Sequence, residues 1–153
     1  MNAQPDEEQL DKNWSEILQE LRVTQTGTQI LTGFLLTLAF QARFTELDRT
    51  QVTIYLVLVI VAALTTVLGL APVSLHRTLF RQGAKAQIVR VGNVLLKSTL
   101  VGVSLVLTGT VLLIFDVVVG LSAGLIAGGV TLAITIVAWV LLPVLFHPAP
   151  HRK

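Results

Sequence analysis

One acid stands at the border of two long apolar tracts: Asp116, in LLIFDVVVG. A carboxyl group inside a bilayer can exchange a proton for a cation, which is why ion-coupled transporters keep an ionisable residue there. If the preceding helix runs on through Val119, Asp116 lies one turn inside the apolar layer. If that helix stops at Phe115, Asp116 only tops a turn. The tract after it is longer than one span requires, so its excess is expected to form a turn from Asp116 to Gly120 and a frayed end at Pro143. Gln25, Gln29 and Gln41 are the polar side chains that would line a route to this acid. Gln29 and Gln41, with Thr26, form a stripe near Gly33 and Thr37 that is expected to face protein rather than lipid.

Other chemistry is sparse. His76 and His147 close the second and fourth apolar tracts, and two such histidines can hold a haem, but haem sites lie deeper than these ends. His151 belongs to an HPAPH tail that reads as a flexible polar end. No acid accompanies a histidine and a serine on one face, so nucleophilic catalysis has no basis. Cysteine is absent, which removes thiolate metal sites and thiol nucleophiles. No catalytic residue, resident metal or cofactor is expected, and the chain is not expected to be an enzyme.

The elements that must position these residues follow from composition. The 153 residues suffice for one domain. Hydrophobic residues make up 53% and charged ones 13%, against roughly 25% charged in a soluble domain. So few charges cannot cover a soluble surface, and apolar side chains must face lipid. The net charge of +2, without an aromatic and basic strip, gives no basis for nucleic-acid binding.

A bilayer core about 30 Å thick takes about 20 apolar helical residues. Four tracts free of charge lie between Arg22 and Arg43, Arg49 and His76, Lys97 and Asp116, and Asp116 and His147. The expectation is an all-α, four-transmembrane-helix bundle with spans near 23–42, 50–75, 94–116 and 121–145. Lys97 would sit at the lipid boundary with its ammonium in water. The acidic N-terminal segment lacks a signal peptide's basic start and small-residue cleavage site, so the first tract is expected to be retained. Lys12, Arg22, Arg77, Arg81, Lys85, Arg90, Lys97, Arg152 and Lys153 share one side, against Arg43 and Arg49 on the other. That bias predicts a multi-pass protein of the inner (plasma) membrane with both termini cytoplasmic.

Membrane helices associate by close packing and polar contacts. GLSAGLIAGG places Gly120, Gly124 and Gly128 four apart, with Ala123 and Ala127 one step across. Ser98, Gly102 and Gly109 of the third tract are the expected partner face, and Gly33 marks a contact in the first. These faces serve packing within the bundle or a homodimer.

At the inner end, Leu10, Trp14, Ile17, Leu18 and Leu21 make the stripe of an amphipathic cytoplasmic helix over 8–22. Its acidic outer face disfavours a lipid-surface role. Glu16 and Glu20 are candidates to dock on Arg81, Lys85 or Arg90, folding this helix across the bundle end; otherwise the two segments are simply solvated. The basic stretch from Arg77 to Lys97 can also hold anionic lipid headgroups.

The tract NWSEILQELRVTQTGTQILTGFLLTLAFQARF, followed by APVSLHRTLFR and FDVVVG, resembles an uncharacterised actinobacterial family of small four-span membrane proteins. Members are sometimes labelled sodium:proton antiporters. The small multidrug exporters are similar in size and span count, but they use an acid deep in the first helix, where this chain has Gln29 and Thr32.

Two functional classes follow. One is a structural or accessory membrane protein that packs or oligomerises in the bilayer and engages a lipid or membrane-protein partner at its charged cytoplasmic face. The other is a small oligomeric cation (sodium):proton antiporter or other ion transporter with Asp116 as its coupling group. Polar continuity from Asp116 to the cytoplasmic face discriminates them.

Overall fold

The computed structural model describes residues 7–79 and 85–145, with side chains described for 9–74, 87–142 and 144–145. All regular structure among the described residues is helical. Helix α1 spans Glu7–Leu38, α2 spans Arg49–Leu79, α3 spans Lys85–Val119 and α4 spans Leu121–Ile136. A 3-10 turn, Ala42–Glu46, joins α1 to α2, and α4 runs on through a π-helical turn, Val137–Leu141, to Leu145. α1 packs on α2 and α3, α2 packs on α3, and α4 packs chiefly on α3. Successive helices run antiparallel, so the start of α1, the end of α2 and the start of α3 lie at one end of the bundle.

The expected amphipathic helix and first span are one uninterrupted helix. Arg22, taken as their boundary, is a good helix former with an exposed side chain, so nothing breaks the backbone there. Trp14 and Leu21 are buried, while Lys12, Ser15, Glu16, Gln19 and Glu20 are exposed. The stripe is thus the inward face of a helix that continues to Leu38, not of a separate element folded across the bundle end.

Burial follows a 3.5-residue repeat. In α2 the buried positions are Tyr55, Leu58, Ala62, Thr65, Gly69 and Pro72. In α1 they fall at every seventh residue: Trp14, Leu21, Thr28 and Leu35. Such spacing keeps one seam facing a neighbour along a long helix, as in left-handed bundles. The seam's largest apolar cluster joins Leu35, Tyr55, Leu58, Ala62, Val106 and Leu113.

Local chemistry sets the connections. Asp48 and Gln51 form a reciprocal cap at the start of α2: the Gln51 N–H donates to Asp48 Oδ1 at 2.9 Å, and the Asp48 N–H donates to Gln51 Oε1 at 3.1 Å. Phe44 packs edge-on against Tyr55, with ring centroids 4.9 Å apart. Tyr55 in turn donates its hydroxyl to the Leu35 carbonyl at 2.8 Å. Between α3 and α4 the whole connection is Gly120, with φ 119° and ψ 166°. That conformation is essentially reserved for glycine, because a Cβ would clash with the backbone.

Three segments, Arg49–Ser74, Gln87–Val119 and Leu121–Leu141, are long and apolar enough to cross a membrane. α1 is not among them, because threonines and glutamines dilute its apolar content. Outward positions on the other helices are aliphatic, including Leu56, Ile60, Leu64 and Val67 of α2 and Leu125, Ile126 and Val130 of α4. A continuous apolar exterior of this kind marks a membrane or protein contact surface.

Candidate functional site

Asp116 lies inside α3, three residues short of its end, and is 9% exposed. The expected turn over 116–120 is not formed, since a single glycine suffices to reverse the chain. The Gly120 N–H reaches back to the Phe115 carbonyl at 3.2 Å, which closes α3 beyond Asp116. α4 forms one wall of the acid's surroundings. A methyl group at Gly124 would stand 3.0 Å from Asp116 Cβ and 2.8 Å from the Leu112 carbonyl oxygen. Among the described residues, no hydrogen bond or ion pair reaches the Asp116 carboxylate.

The proposed glutamine route does not assemble. Gln25 is half-buried, and its Nε2 donates to the Gly69 carbonyl at 2.6 Å. Gln29 points outward, as do Thr26, Gly33 and Thr37. Gln41 belongs to the turn after α1, where it borders an apolar cavity of about 160 Å³ with Leu38, Phe44, Tyr55 and Leu113. Asp116 does not line that cavity. The stripe of Thr26, Gln29 and Gln41 was expected to face protein, but the inward register of α1 is set by the Trp14–Leu21–Thr28–Leu35 heptad. Gly33, expected to make a helix contact, has nothing within 4 Å of where a Cβ would stand.

The glycines of α3 pair differently from the expected hairpin face. Gly102 abuts Thr65 and Gly109 abuts Leu58, both on α2. α4 presents Gly124 and Gly128 to Leu112 and Asp116 instead. α3 thus uses one stripe for α2 and a neighbouring stripe for α4. The antiparallel register of Thr65 with Gly102 and Leu58 with Gly109, carried one heptad further, sets Asp116 level with Gln51.

A polar belt that sequence reasoning missed lies nearer the terminal end. Thr28, Thr65 and Thr99 are each no more than 2% exposed. Their hydroxyls donate to the carbonyls of Thr24, Val61 and Leu95, four residues back. At Gly69 three helices meet: a methyl there would stand 3.4 Å from Gln25 Cγ and 3.6 Å from Thr99 Cγ2. Pro72, fully buried in the same turn of α2, lacks an N–H and so removes one rung of the helix ladder. Gln25 supplies an amide donor to that turn, the way neighbouring helices satisfy backbone around an intrahelical proline. The usable signal was the seven-residue spacing of Thr28 from Leu21 and Leu35. Replacing Gln25 by leucine is expected to cost about 0.5–1.5 kcal/mol, the net worth of one hydrogen bond. Gln29→Leu, on the outward face, is expected to cost nothing, and thermal unfolding in detergent compares the two.

At the terminal end, α1 and α3 run side by side. A methyl at Gly92 would stand 2.7 Å from Trp14 Cζ3, so the absent side chain is what seats the indole. Glu16, Glu20 and Arg90 border one groove with Asn13 and Asn93. No ion pair joins these three among the described residues, and all three side chains are exposed. The side chains of Arg77 and Lys85 lie outside the described residues. So do Arg81, His147, His151 and the side chain of His76. Among the described residues, no group of histidines and acids could hold a metal.

The sequence matches a family model described as a family of unknown function, DUF6328, over residues 3–143. The chain belongs to the DUF6328 family. No curated protein and no solved structure matches it. The match takes in α1, the one-glycine reversal at Gly120 and all of α4, and of the described residues only Val144 and Leu145 lie beyond it.

Proposed function

We propose that this DUF6328 chain is a polytopic inner-membrane protein of structural or accessory role, packing in the bilayer and engaging a lipid or protein partner at its charged cytoplasmic face. Three helices apolar enough to cross a membrane support the placement. α1 lies along α2 and α3 from Trp14 at Gly92 to Leu35 at Tyr55, so it would cross with them as a fourth span. The excess of Lys and Arg at the terminal end supports a cytoplasmic placement of both termini. α1, at 32 residues, and α3, at 35, are longer than a bilayer requires. Their paired ends would project into the cytoplasm and carry Glu16, Glu20 and Arg90 to a partner. A homodimer, or another membrane protein seated on the outward Gln29–Gly33–Thr37 stripe of α1, is compatible with this role.

The observation that carries the accessory reading is the apolar seam. Leu35, Tyr55, Leu58, Ala62, Val106 and Leu113 fill the bundle between the level of Asp116 and the threonine belt. A coupled transporter needs a hydrated route for its ion, and this cluster offers none. The second reading, a small oligomeric sodium:proton antiporter, draws on one observation: Asp116 is buried in α3 rather than displayed in a turn.

A pH-gradient assay in proteoliposomes separates the two. Inserted wild-type protein and its Asp116→Asn variant are both expected to dissipate the gradient no faster than empty liposomes. Sodium- or potassium-dependent dissipation that Asp116→Asn abolishes would overturn the accessory reading and make Asp116 the coupling residue.

A further inference from the structure

α3 and α4 are clamped at one end and parted at the other. Near the reversal, Gly124 and Gly128 bring the helices so close that a methyl at Gly128 would stand 3.0 Å from Leu112 Cβ. Toward the terminal end α4's small residues give way to Leu132, Ile136 and Val140, and the helices frame a cleft of about 620 Å³. The α4 wall is widened there by the π-helical turn Val137–Leu141, in which the Leu142 N–H reaches five residues back to the Val137 carbonyl. Pro143 gives this turn a cause, since it has no N–H to offer the Trp139 carbonyl. Isolated π turns of this sort are frequent at functional sites.

The cleft has an ordered polarity. Lys97 borders it and is the one ionisable side chain lining it among the described residues. Trp139 and Val140 line it from α4, Leu100 and Ser104 from α3. Lys97 makes no ion pair among the described residues. α4 carries no acid at all, and the one acid of α3, Asp116, is at the far end. From Lys97 to Leu105 the α3 wall runs about 12 Å at 1.5 Å per residue. A cation over an apolar trough, with an amphipathic indole beside it, complements a molecule with an anionic head and an apolar tail.

We propose that the α3–α4 cleft is a binding site for one anionic phospholipid of the leaflet at the terminal end, its phosphate on Lys97 and an acyl chain along Leu100, Ser104 and Trp139. This site rests on the membrane reading and narrows the headgroup contact expected of the Arg77–Lys97 stretch to its last base, Lys97, and the cleft beside it. The clamp at Gly124 and Gly128 holds the cleft open, so the lipid meets a preformed trough.

Trp139 is the natural reporter, because the chain has two tryptophans and Trp14→Phe leaves it alone. That variant is reconstituted into phosphatidylcholine vesicles carrying equal mole fractions of dibrominated phosphatidylglycerol or dibrominated phosphatidylcholine. The brominated anionic lipid is expected to quench Trp139 with about fivefold higher relative association, the factor one lysine near an anionic surface contributes. Lys97→Gln is expected to bring the ratio to about one, and Lys97→Arg to restore it. Equal quenching by both lipids with Lys97 intact would overturn the proposal, as would a preference that survives Lys97→Gln. Shielding of Trp139 from both lipids in protein that co-floats with vesicles would also overturn it, placing a second copy or another helix in the cleft while leaving the membrane reading intact. Protein that does not co-float would overturn the membrane reading and the site together.

Discussion

Replacing Gly124 by alanine is expected to destabilise the detergent-solubilised protein by about 1–3 kcal/mol, the range for forcing a methyl into a close-packed interior. The added Cβ would meet the Leu112 carbonyl oxygen at 2.8 Å and the Asp116 amide nitrogen at 3.1 Å. Both are backbone atoms of a helix, so neither can yield by a rotamer change, and α4 must be pushed off α3. For a chain of this length each kcal/mol corresponds to about 2–4 °C in unfolding temperature. Gly129 is the internal control: it lies in the same helix, has nothing within 4 Å, and Gly129→Ala is expected to be neutral or slightly stabilising, since alanine is the better helix former. Thermal unfolding followed by circular dichroism reads both. Equal effects at the two positions would mean that α4 does not sit on α3 through Gly124.

The second large effect is expected at Gly102. A methyl there overlaps Thr65 Oγ1 and comes within 2.9 Å of Thr65 Cγ2, so Gly102→Ala should also lose about 1–3 kcal/mol. Here the obstacle is a side chain, and it can be removed. Thr65 spends its hydroxyl on the carbonyl of Val61 within its own helix, so Thr65→Ala alone should cost little. The double variant, Gly102→Ala with Thr65→Ala, is expected to recover most of the lost stability, giving a favourable coupling between the two sites. Additive losses instead would show that α2 and α3 meet in another register. The same register sets Leu58 against Gly109 and brings Asp116 level with the first turn of α2.

Hydropathy reveals only part of this fold. Of the four apolar tracts expected to span, the three long ones are a local property, and those were legible. The stripe from Leu10 to Leu21 was legible too, because at the charged end of the molecule the inward and outward sides differ in polarity. Farther along α1 that contrast fails. Thr28 is buried while Gln29 and Thr26 are exposed, and polarity alone ranks these residues wrongly. Where the exterior is as apolar as the core, inside is chosen by size and register, which belong to pairs of helices.

Asp116 shows the same division. Its carboxyl group and its place between two apolar tracts were plain from the chain, as was the small-residue run from Gly120 to Gly128. Whether the acid topped a turn or lay in a helix depended on how few residues could reverse the backbone. Gly120 does it alone at φ 119°, so α3 keeps three more residues and carries Asp116 into contact with α4. By itself, then, the sequence determined that this DUF6328 chain is helical and that three of the four tracts expected to span are apolar enough to cross a membrane, the first being too polar to count with them. Tertiary structure alone decided that α1 is one helix, that Gly102 and Gly109 serve α2 while Gly124 and Gly128 serve α3, and that an apolar seam separates Asp116 from the threonine belt. The physical reason is that hydropathy and charge are summed along one chain segment, whereas close approach is a property of two surfaces meeting.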